Sequence, residues 1–108
     1  MIQLPKHLPV CGDRWSITTQ ADESDLYGEA RLAAKDLMVN VACHRTQAQA
    51  LSTLAHEAAH AVFASTGWNE LLKGLGENAE EGLARCIEHH LWPVYRHLAD
   101  WDKKREEK

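Results

Sequence analysis

The chain has 108 residues, 44% of them hydrophobic and 26% charged, which excludes wholesale disorder and predicts one globular domain with a modest core. Its formal net charge of -4 at pH 7 supplies no basic face, so we expect neither nucleic acid nor an anionic membrane among its partners. Three widely spaced cysteines form no C-x-x-C pair, and no segment has the apolar run of a signal peptide or a membrane span, so we expect a reduced, cytoplasmic protein.

The first half of the chain has the pattern of strands. Residues 14–20 alternate Trp15 and Ile17 with polar neighbours, which is typical of a half-buried strand. Two further extended runs, at roughly residues 26–32 and 37–42, follow an acidic turn. Together these runs predict a small antiparallel sheet.

The second half of the chain has the pattern of helices. Thr46 is a suitable N-cap, apolar residues then recur at a spacing of three and four, and Gly67 is a natural C-terminal stop. The next segment contains two glycines and is expected to be a loop that can include a short helical turn. A second helix is predicted to begin after the N-cap Asn78, and Pro93 is expected to kink or end it.

These elements predict an α+β fold in which a small antiparallel sheet is followed by two main packed helices. Residues 1–100 are expected to form a single domain. Residues 101–108, with the sequence WDKKREEK, are expected to form a charged and solvated tail.

The stretch TLAHEAAHAVF, residues 53–63, carries the residues of a metal site. On a helix, His56 and His60 lie one above the other and can point their ring nitrogens at one ion. Glu57 then lies beside the ion, where its carboxylate can accept a proton from a polarised water. A set of two imidazoles and one carboxylate suits zinc. His56 and His60 supply the imidazoles, so a third protein ligand is required.

The second predicted helix offers three glutamates as that ligand, Glu77, Glu80 and Glu81. Glu81 shares a stripe with Arg85, Glu88 and Trp92, and this stripe can face a cleft. Glu80 lines up with apolar residues of the same helix, and its position also permits it to reach the first helix. The spacing therefore leaves both Glu80 and Glu81 open.

TLAHEAAHAVF, followed about twenty residues later by EEGLAR, resembles the H-E-x-x-H and downstream E-x-[LI]-[AS] signature of gluzincin-type zinc metallopeptidases. The order of elements is similar to that of minimal, stand-alone members found in phages and prokaryotes, over roughly residues 14–92. This resemblance implies a minimal zincin-like fold and one zinc ion held by His56, His60 and Glu81, because the family's third ligand precedes a small–hydrophobic–small triplet. It also implies hydrolysis of peptide bonds by a zinc-activated water, with Glu57 as the general base.

The chain departs from larger family members at two points. They often carry a carboxylate one turn after the third ligand, where this chain has Arg85. We therefore expect Glu88 or a backbone carbonyl to orient the zinc histidines. The residue that steadies the oxyanion is not mapped by the motif, and its candidates are Tyr27, His89, His90 and Tyr95.

The expected activity is that of a metalloendopeptidase acting on a peptide or protein substrate. We expect an extended peptide to add as a strand along DLMVNVA, residues 36–42, as the sheet edge nearest the first helix. The same edge can pair two copies of the chain as a homodimer or hold a terminus in the cleft as self-inhibition.

The alternative function is a catalytically silent, zinc-binding interaction module, which keeps the three ligands but has no activity that depends on Glu57. A helical adaptor without metal is a further alternative. A related, DNA-linked peptidase is disfavoured by the acidic charge balance.

Overall fold

The computed structural model describes residues 2–106, which form a mixed four-stranded sheet and four α-helices. The strands are β1 (His7–Val10), β2 (Asp13–Gln20), β3 (Gly28–Arg31) and β4 (Asp36–Asn40). The helices are α1 (Gln47–Thr66), α2 (Trp68–Lys73), α3 (Ala79–Cys86) and α4 (Trp92–Glu106). The predicted α+β fold, with a small sheet and packed helices, is therefore confirmed. Within the described residues, no helix combines the length and the apolar character needed to cross a membrane.

The sheet has the strand order β1-β2-β4-β3. β1 pairs with β2 and β3 pairs with β4 in antiparallel fashion, but β2 and β4 run parallel. The prediction of an antiparallel sheet is therefore wrong at the central pair. Alternating hydrophobicity reports which face of a strand is buried, but it carries no information about the direction of the neighbouring strand.

The strand β4 lies inside the sheet, between β2 and β3. All five of its residues are buried, so both of its faces are covered. Both of its edges are paired, one with β2 and the other with β3. The prediction that DLMVNVA forms the exposed edge nearest the first helix is therefore wrong. Among the described strands, the edge beside α1 without a partner strand belongs to β3, which contacts that helix.

The opposite edge is β1, a strand that the sequence analysis did not predict. A tight turn joins it to β2 through Cys11 and Gly12, which have positive φ angles of 51° and 86°. Pro9 lies in β1, where a missing backbone N–H is tolerated because the strand is at an edge.

Two apolar clusters lie on different sides of α1. The larger one joins α1 to the sheet and consists of Val10, Trp15, Leu37, Val39, Ala50, Leu54 and Ala61. The smaller one joins α1 to α2 and α3 and consists of Ala59, Phe63, Leu72 and Ala84. Helix α1 is therefore the central element of the fold.

Asn40, which is fully buried, holds the loop that leads into β3. Its side-chain oxygen accepts hydrogen bonds from the backbone N–H groups of Asp22 and Ala42. Its amide nitrogen donates to the Asp22 carboxylate and to the Leu26 carbonyl. A buried amide with four such bonds stabilises one path for the loop and so positions the start of β3.

The helix boundaries agree with the sequence analysis at α1 and at the start of α3. Helix α1 has Thr46 as its N-cap and ends at Gly67, and α3 follows Asn78. The expected loop after Gly67 contains α2, a helix of six residues.

The expected interruption before Pro93 is a π-helical segment, Ile87–Leu91. There the Trp92 N–H bonds to the Ile87 carbonyl five residues earlier, and α4 begins at Trp92. A wider turn accommodates a proline that cannot donate to the preceding turn. The predicted tail from residue 101 continues α4 as an exposed helix to Glu106.

Candidate metal centre

Helix α1 presents two of the predicted ligands on one face. The Thr46 side chain accepts a hydrogen bond from the Gln49 backbone N–H, the Gln49 side chain accepts one from Thr46, and Gly67 ends the helix in the left-handed region at φ 82°. These caps stabilise a helix of 20 residues. His56 and His60 lie in its middle, with ring centroids 5.1 Å apart and only 12% and 18% of their side chains exposed.

Glu81 of α3 reaches both imidazoles. Its Oε1 lies 2.8 Å from His56 Nε2, and its Oε2 lies 3.0 Å from His60 Nε2. The three residues each offer a ligand atom, and these atoms all lie within 4.8 Å of one another. The fold therefore brings together the three residues that the resemblance implied, and their binding of zinc stays a prediction.

A further carboxylate contacts the far nitrogen of each imidazole. Glu88 Oε1 lies 2.9 Å from His56 Nδ1, and Glu80 Oε2 lies 2.5 Å from His60 Nδ1. An Nδ1–H that donates to such a carboxylate fixes the tautomer and the ring orientation, and it leaves Nε2 as a ligand atom. Glu88 thus occupies the orienting position expected for it, and Glu80 contacts the outer side of His60 rather than the side that faces Glu81.

The donor set fits a cation. When both imidazoles are neutral and their Nδ1–H groups point outward, the His56 and His60 Nε2 atoms carry lone pairs that face Glu81, whose ionised carboxylate can only accept hydrogen bonds. Acceptors so close together repel one another unless a proton or a metal ion lies among them. Zinc bonds of about 2.0–2.1 Å at tetrahedral angles place ligand atoms about 3.3 Å apart, so a small opening of this cluster suffices to hold zinc.

The charge state of Glu81 suits a ligand. Burial alone would raise the pKa of its carboxyl, but when no metal is bound the positive charges of protonated His56 and His60, a hydrogen bond from His60 and the nearby Arg85 outweigh burial and lower the pKa. Glu81 is therefore ionised at neutral pH.

Glu57 is adjacent to His56 in the chain and lines the cleft beside the ligands. Burial raises the pKa of its carboxyl above the usual range, and the negative charges of Glu81 and Glu88 act in the same direction, whereas His56 and His60 oppose them. A carboxylate with a raised pKa is a stronger proton acceptor than an exposed one.

Strand β3 approaches α1 closely at the level of Glu57. A Cβ at Gly28 would lie 2.8 Å from the Met38 carbonyl oxygen, 2.8 Å from Thr53 Cγ2 and 3.1 Å from Glu57 Cγ. No other residue type fits there without movement of the strand or the helix. Gly28 therefore allows the free edge of the sheet to lie beside the candidate base.

A cleft of about 820 Å³ opens over these groups. The loop before β3 and β3 itself form one wall, α1 forms the floor, and α3 forms the other wall. Six carboxylates line it, whereas Arg85 is the single Lys or Arg in the described lining. These carboxylates belong to Asp25, Glu29, Glu57, Glu80, Glu81 and Glu88.

Of the predicted stripe, Glu81, Arg85 and Glu88 line this cleft, whereas Trp92 is not among the described lining residues. Of the four candidates for steadying the oxyanion, Tyr27 and His89 line the cleft. His90 and Tyr95 are not among its lining residues in the described part of the chain.

Two features of the site were missed by the sequence analysis. One is the role of β3 as the cleft wall, for which Gly28 was an available signal because a strand glycine can mark a close approach of two backbones. The other is the contact of Glu80 with the outer nitrogen of His60. The adjacent glutamates at 80 and 81 indicated that two carboxylates could reach the histidines. Which of them contacts which nitrogen depends on how α3 is rotated against α1.

No protein-family model matches the chain, and no curated protein or solved structure matches it either. The chemical interpretation of the site therefore rests on the residues and distances given above.

Proposed function

We propose that the protein is a zinc-dependent metallopeptidase in which Glu57 is the general base. The observation that carries this proposal is the convergence of the His56 and His60 Nε2 atoms on Glu81, at 2.8 and 3.0 Å, inside an open cleft. Three protein ligands beside an open cleft are typical of a catalytic zinc site, whereas structural sites have four. A bound zinc ion would polarise both a water molecule and a substrate carbonyl.

Glu57 transfers the proton in this proposal. It accepts one from the attacking water and returns it to the amine that leaves. Its place in the lining next to His56 and its raised pKa both support this role. The Nδ1–H groups of His56 and His60 donate to Glu88 and Glu80, and Glu81 contacts both Nε2 atoms. Glu57 is therefore the carboxylate beside the imidazoles that is not engaged with either of them.

The proposed substrate is an extended segment of a peptide or protein that pairs with β3. This strand pairs with β4 on one side, so the backbone groups on its other side are available, and Gly28, Glu29 and Ala30 line the cleft. The same edge can pair with a second copy of the chain, in which case a homodimer would compete with substrate. Nucleic acid and membranes are not among the proposed partners.

Residence in the cytoplasm is also part of the proposal. It is supported by Cys11, Cys43 and Cys86, all of which are free thiols.

The test combines metal analysis with cleavage of a peptide library. Protein purified without chelators should contain one zinc ion per chain by mass spectrometry, and it should cleave peptides in the library. Glu57→Gln should keep the zinc and lower kcat by about 100- to 10,000-fold, the range for loss of a general base. Glu70→Gln is the matched control, since Glu70 lies exposed on α2 outside the cleft, and it should keep full activity.

Two outcomes would contradict the proposal. Bound zinc without cleavage by the wild-type protein would favour the silent binding module instead. A protein that takes up no zinc even with the metal in excess would refute the metal centre itself.

A further inference from the structure

Arg85 holds a distinctive place in the cleft. It lies one turn after Glu81 on α3, and its side chain is 70% exposed. Its Nε lies 3.5 Å from Glu81 Oε1, which is also the oxygen 2.8 Å from His56 Nε2. The guanidinium is therefore beside the ligand group, in a cleft whose other charged side chains, apart from histidines, are all carboxylates.

A structural role explains little of this placement. An exposed Glu–Arg pair four residues apart on a helix contributes about 0.2–0.5 kcal/mol. The closest approach of Arg85 to Glu81 is through Nε, and none of the side-chain hydrogen bonds within residues 2–106 involves the two terminal nitrogens of Arg85. Those nitrogens carry four N–H donors that are available to a molecule in the cleft.

The proposed reaction creates a need for such donors. Water adds to the carbonyl carbon as one of its protons moves to Glu57, and the C=O electron pair moves onto the carbonyl oxygen. When that pair re-forms the C=O bond, the C–N bond breaks and the amine nitrogen takes the proton from Glu57. The products are an amine and a carboxylic acid. Between the addition of water and the breaking of the C–N bond, the negative charge on the carbonyl oxygen must be stabilised.

We propose that Arg85 donates a hydrogen bond to the substrate carbonyl oxygen and stabilises the negative charge that develops there. This inference rests on the peptidase function proposed above. A guanidinium suits the role because it remains charged at any physiological pH and presents several donors in one plane. Its ion pair with Glu81, at 3.5 Å, places the guanidinium beside one of the candidate ligands.

Those other candidates point elsewhere. His89 Nε2 lies 3.7 Å from Glu88 Oε1, which is on the outer side of His56. The Tyr27 ring meets the His44 ring edge-on, with centroids 5.3 Å apart. Neither side chain contacts Glu81, so the geometry favours Arg85 over both.

The test measures kcat, KM and the zinc dissociation constant for Arg85→Ala and Arg85→Lys. Arg85→Ala should lower kcat by about 100-fold, near the lower end of the range for loss of one oxyanion donor, because the side chain is largely exposed. Its KM and zinc affinity should stay within about 3-fold of wild type, since the lost hydrogen bond becomes strong only as negative charge develops on the oxygen in the transition state. Arg85→Lys should restore part of kcat because it keeps the charge. Arg96→Ala on α4, outside the cleft, is the matched control and should behave as wild type.

The contrary outcomes separate the possible failures. A rise in KM with unchanged kcat would show that Arg85 binds the substrate equally in the ground state, which overturns the inference. A parallel loss of zinc affinity would show that Arg85 acts through Glu81, which also overturns it. An active wild type with a fully active Arg85→Ala variant refutes this inference alone, whereas a zinc-loaded wild type that cleaves nothing refutes the peptidase function as well.

Discussion

The two helices that meet at the candidate metal centre are held in place very differently. Helix α1 has 20 residues, a capping box and six buried residues, and it packs against the sheet. Helix α3 has eight residues, no side-chain hydrogen bond at its N-cap Asn78 and one buried residue, Ala84. It then passes into the π-helical segment and the exposed helix α4.

This difference separates the candidate ligands and their outer carboxylates into two groups. His56 and His60 belong to the well-packed helix, whereas Glu81 and both outer carboxylates come from α3 and the segment directly after it. We infer that α1 provides a preformed pair of imidazoles. The position of α3 depends more on the contacts at the metal centre itself, because it has little apolar burial of its own.

Removing a large side chain from each helix should give the largest contrast. Leu54→Ala in α1 removes a buried side chain from the main core and should cost about 2–5 kcal/mol of unfolding free energy. Leu83→Ala in α3 removes a side chain that is 38% exposed and should cost less than about 1 kcal/mol. Urea denaturation of the zinc-free proteins measures both values. Equal costs would show that α3 is anchored as firmly as α1.

Zinc should stabilise α3 more than α1 against local opening. If opening of α3 breaks the site, free zinc at 100 times its dissociation constant should stabilise that helix against opening by about 2.7 kcal/mol. The amides of α3 should then exchange roughly 100-fold more slowly. Amides in the middle of α1 should change less, because their protection already depends on the sheet-side core. Hydrogen exchange with and without zinc checks this, and uniform slowing across both helices would contradict it.

The outer carboxylates should affect metal binding without being ligands. Glu80→Ala and Glu88→Ala should each weaken zinc binding by about 10- to 100-fold, or about 1.4–2.7 kcal/mol, because each frees the outer nitrogen of one imidazole. Glu81→Ala should weaken it further because it removes a ligand. Glu77→Ala, at an exposed position just before α3, is the control for lost negative charge. A stronger effect at Glu80 than at Glu81 would reverse their assigned roles.

The smallest effect concerns the stability of the metal-free protein. Because burial raises the folded-state pKa of Glu57, its ionised form is disfavoured in the folded protein. The stability linked to this group is fully present below the unfolded-state pKa and is lost as the pH rises through the raised, folded-state pKa. Glu57→Gln should therefore be more stable than wild type at neutral pH, and the difference should vanish in acid.

Unfolding curves at several pH values, with Glu70→Gln as the exposed control, measure this difference. A Glu57→Gln variant that is less stable than wild type at neutral pH would show that the charged carboxylate is well solvated or well paired in α1.

Much of the helical half could be predicted from local patterns. The N-cap at Thr46, the stop at Gly67 and the pairing of His56 with His60 all follow from interactions within four residues of one another. The same is true of the interruption before Pro93. Such features depend on backbone geometry that is the same in every helix.

The sheet could be predicted less well. The strand patterns were found at β2, β3 and β4, but their order and directions were not, and β1 was missed. Placing β4 in the interior moved the expected substrate edge to β3, with Gly28 at its closest approach to Glu57. Strand neighbours are chosen by long-range packing, which alternation along one strand does not encode.

The sequence by itself determined a helix that carries two imidazoles and a carboxylate on one turn, because residues four apart on a helix are neighbours whatever surrounds them. Only the tertiary structure decided which glutamate faces the Nε2 atoms, which ones hold the outer nitrogens and which strand borders the cleft. Those choices depend on the rotation and docking of α3 against α1 and on the order of the strands. Both are set by contacts between residues far apart in the chain, so no local spacing could specify them.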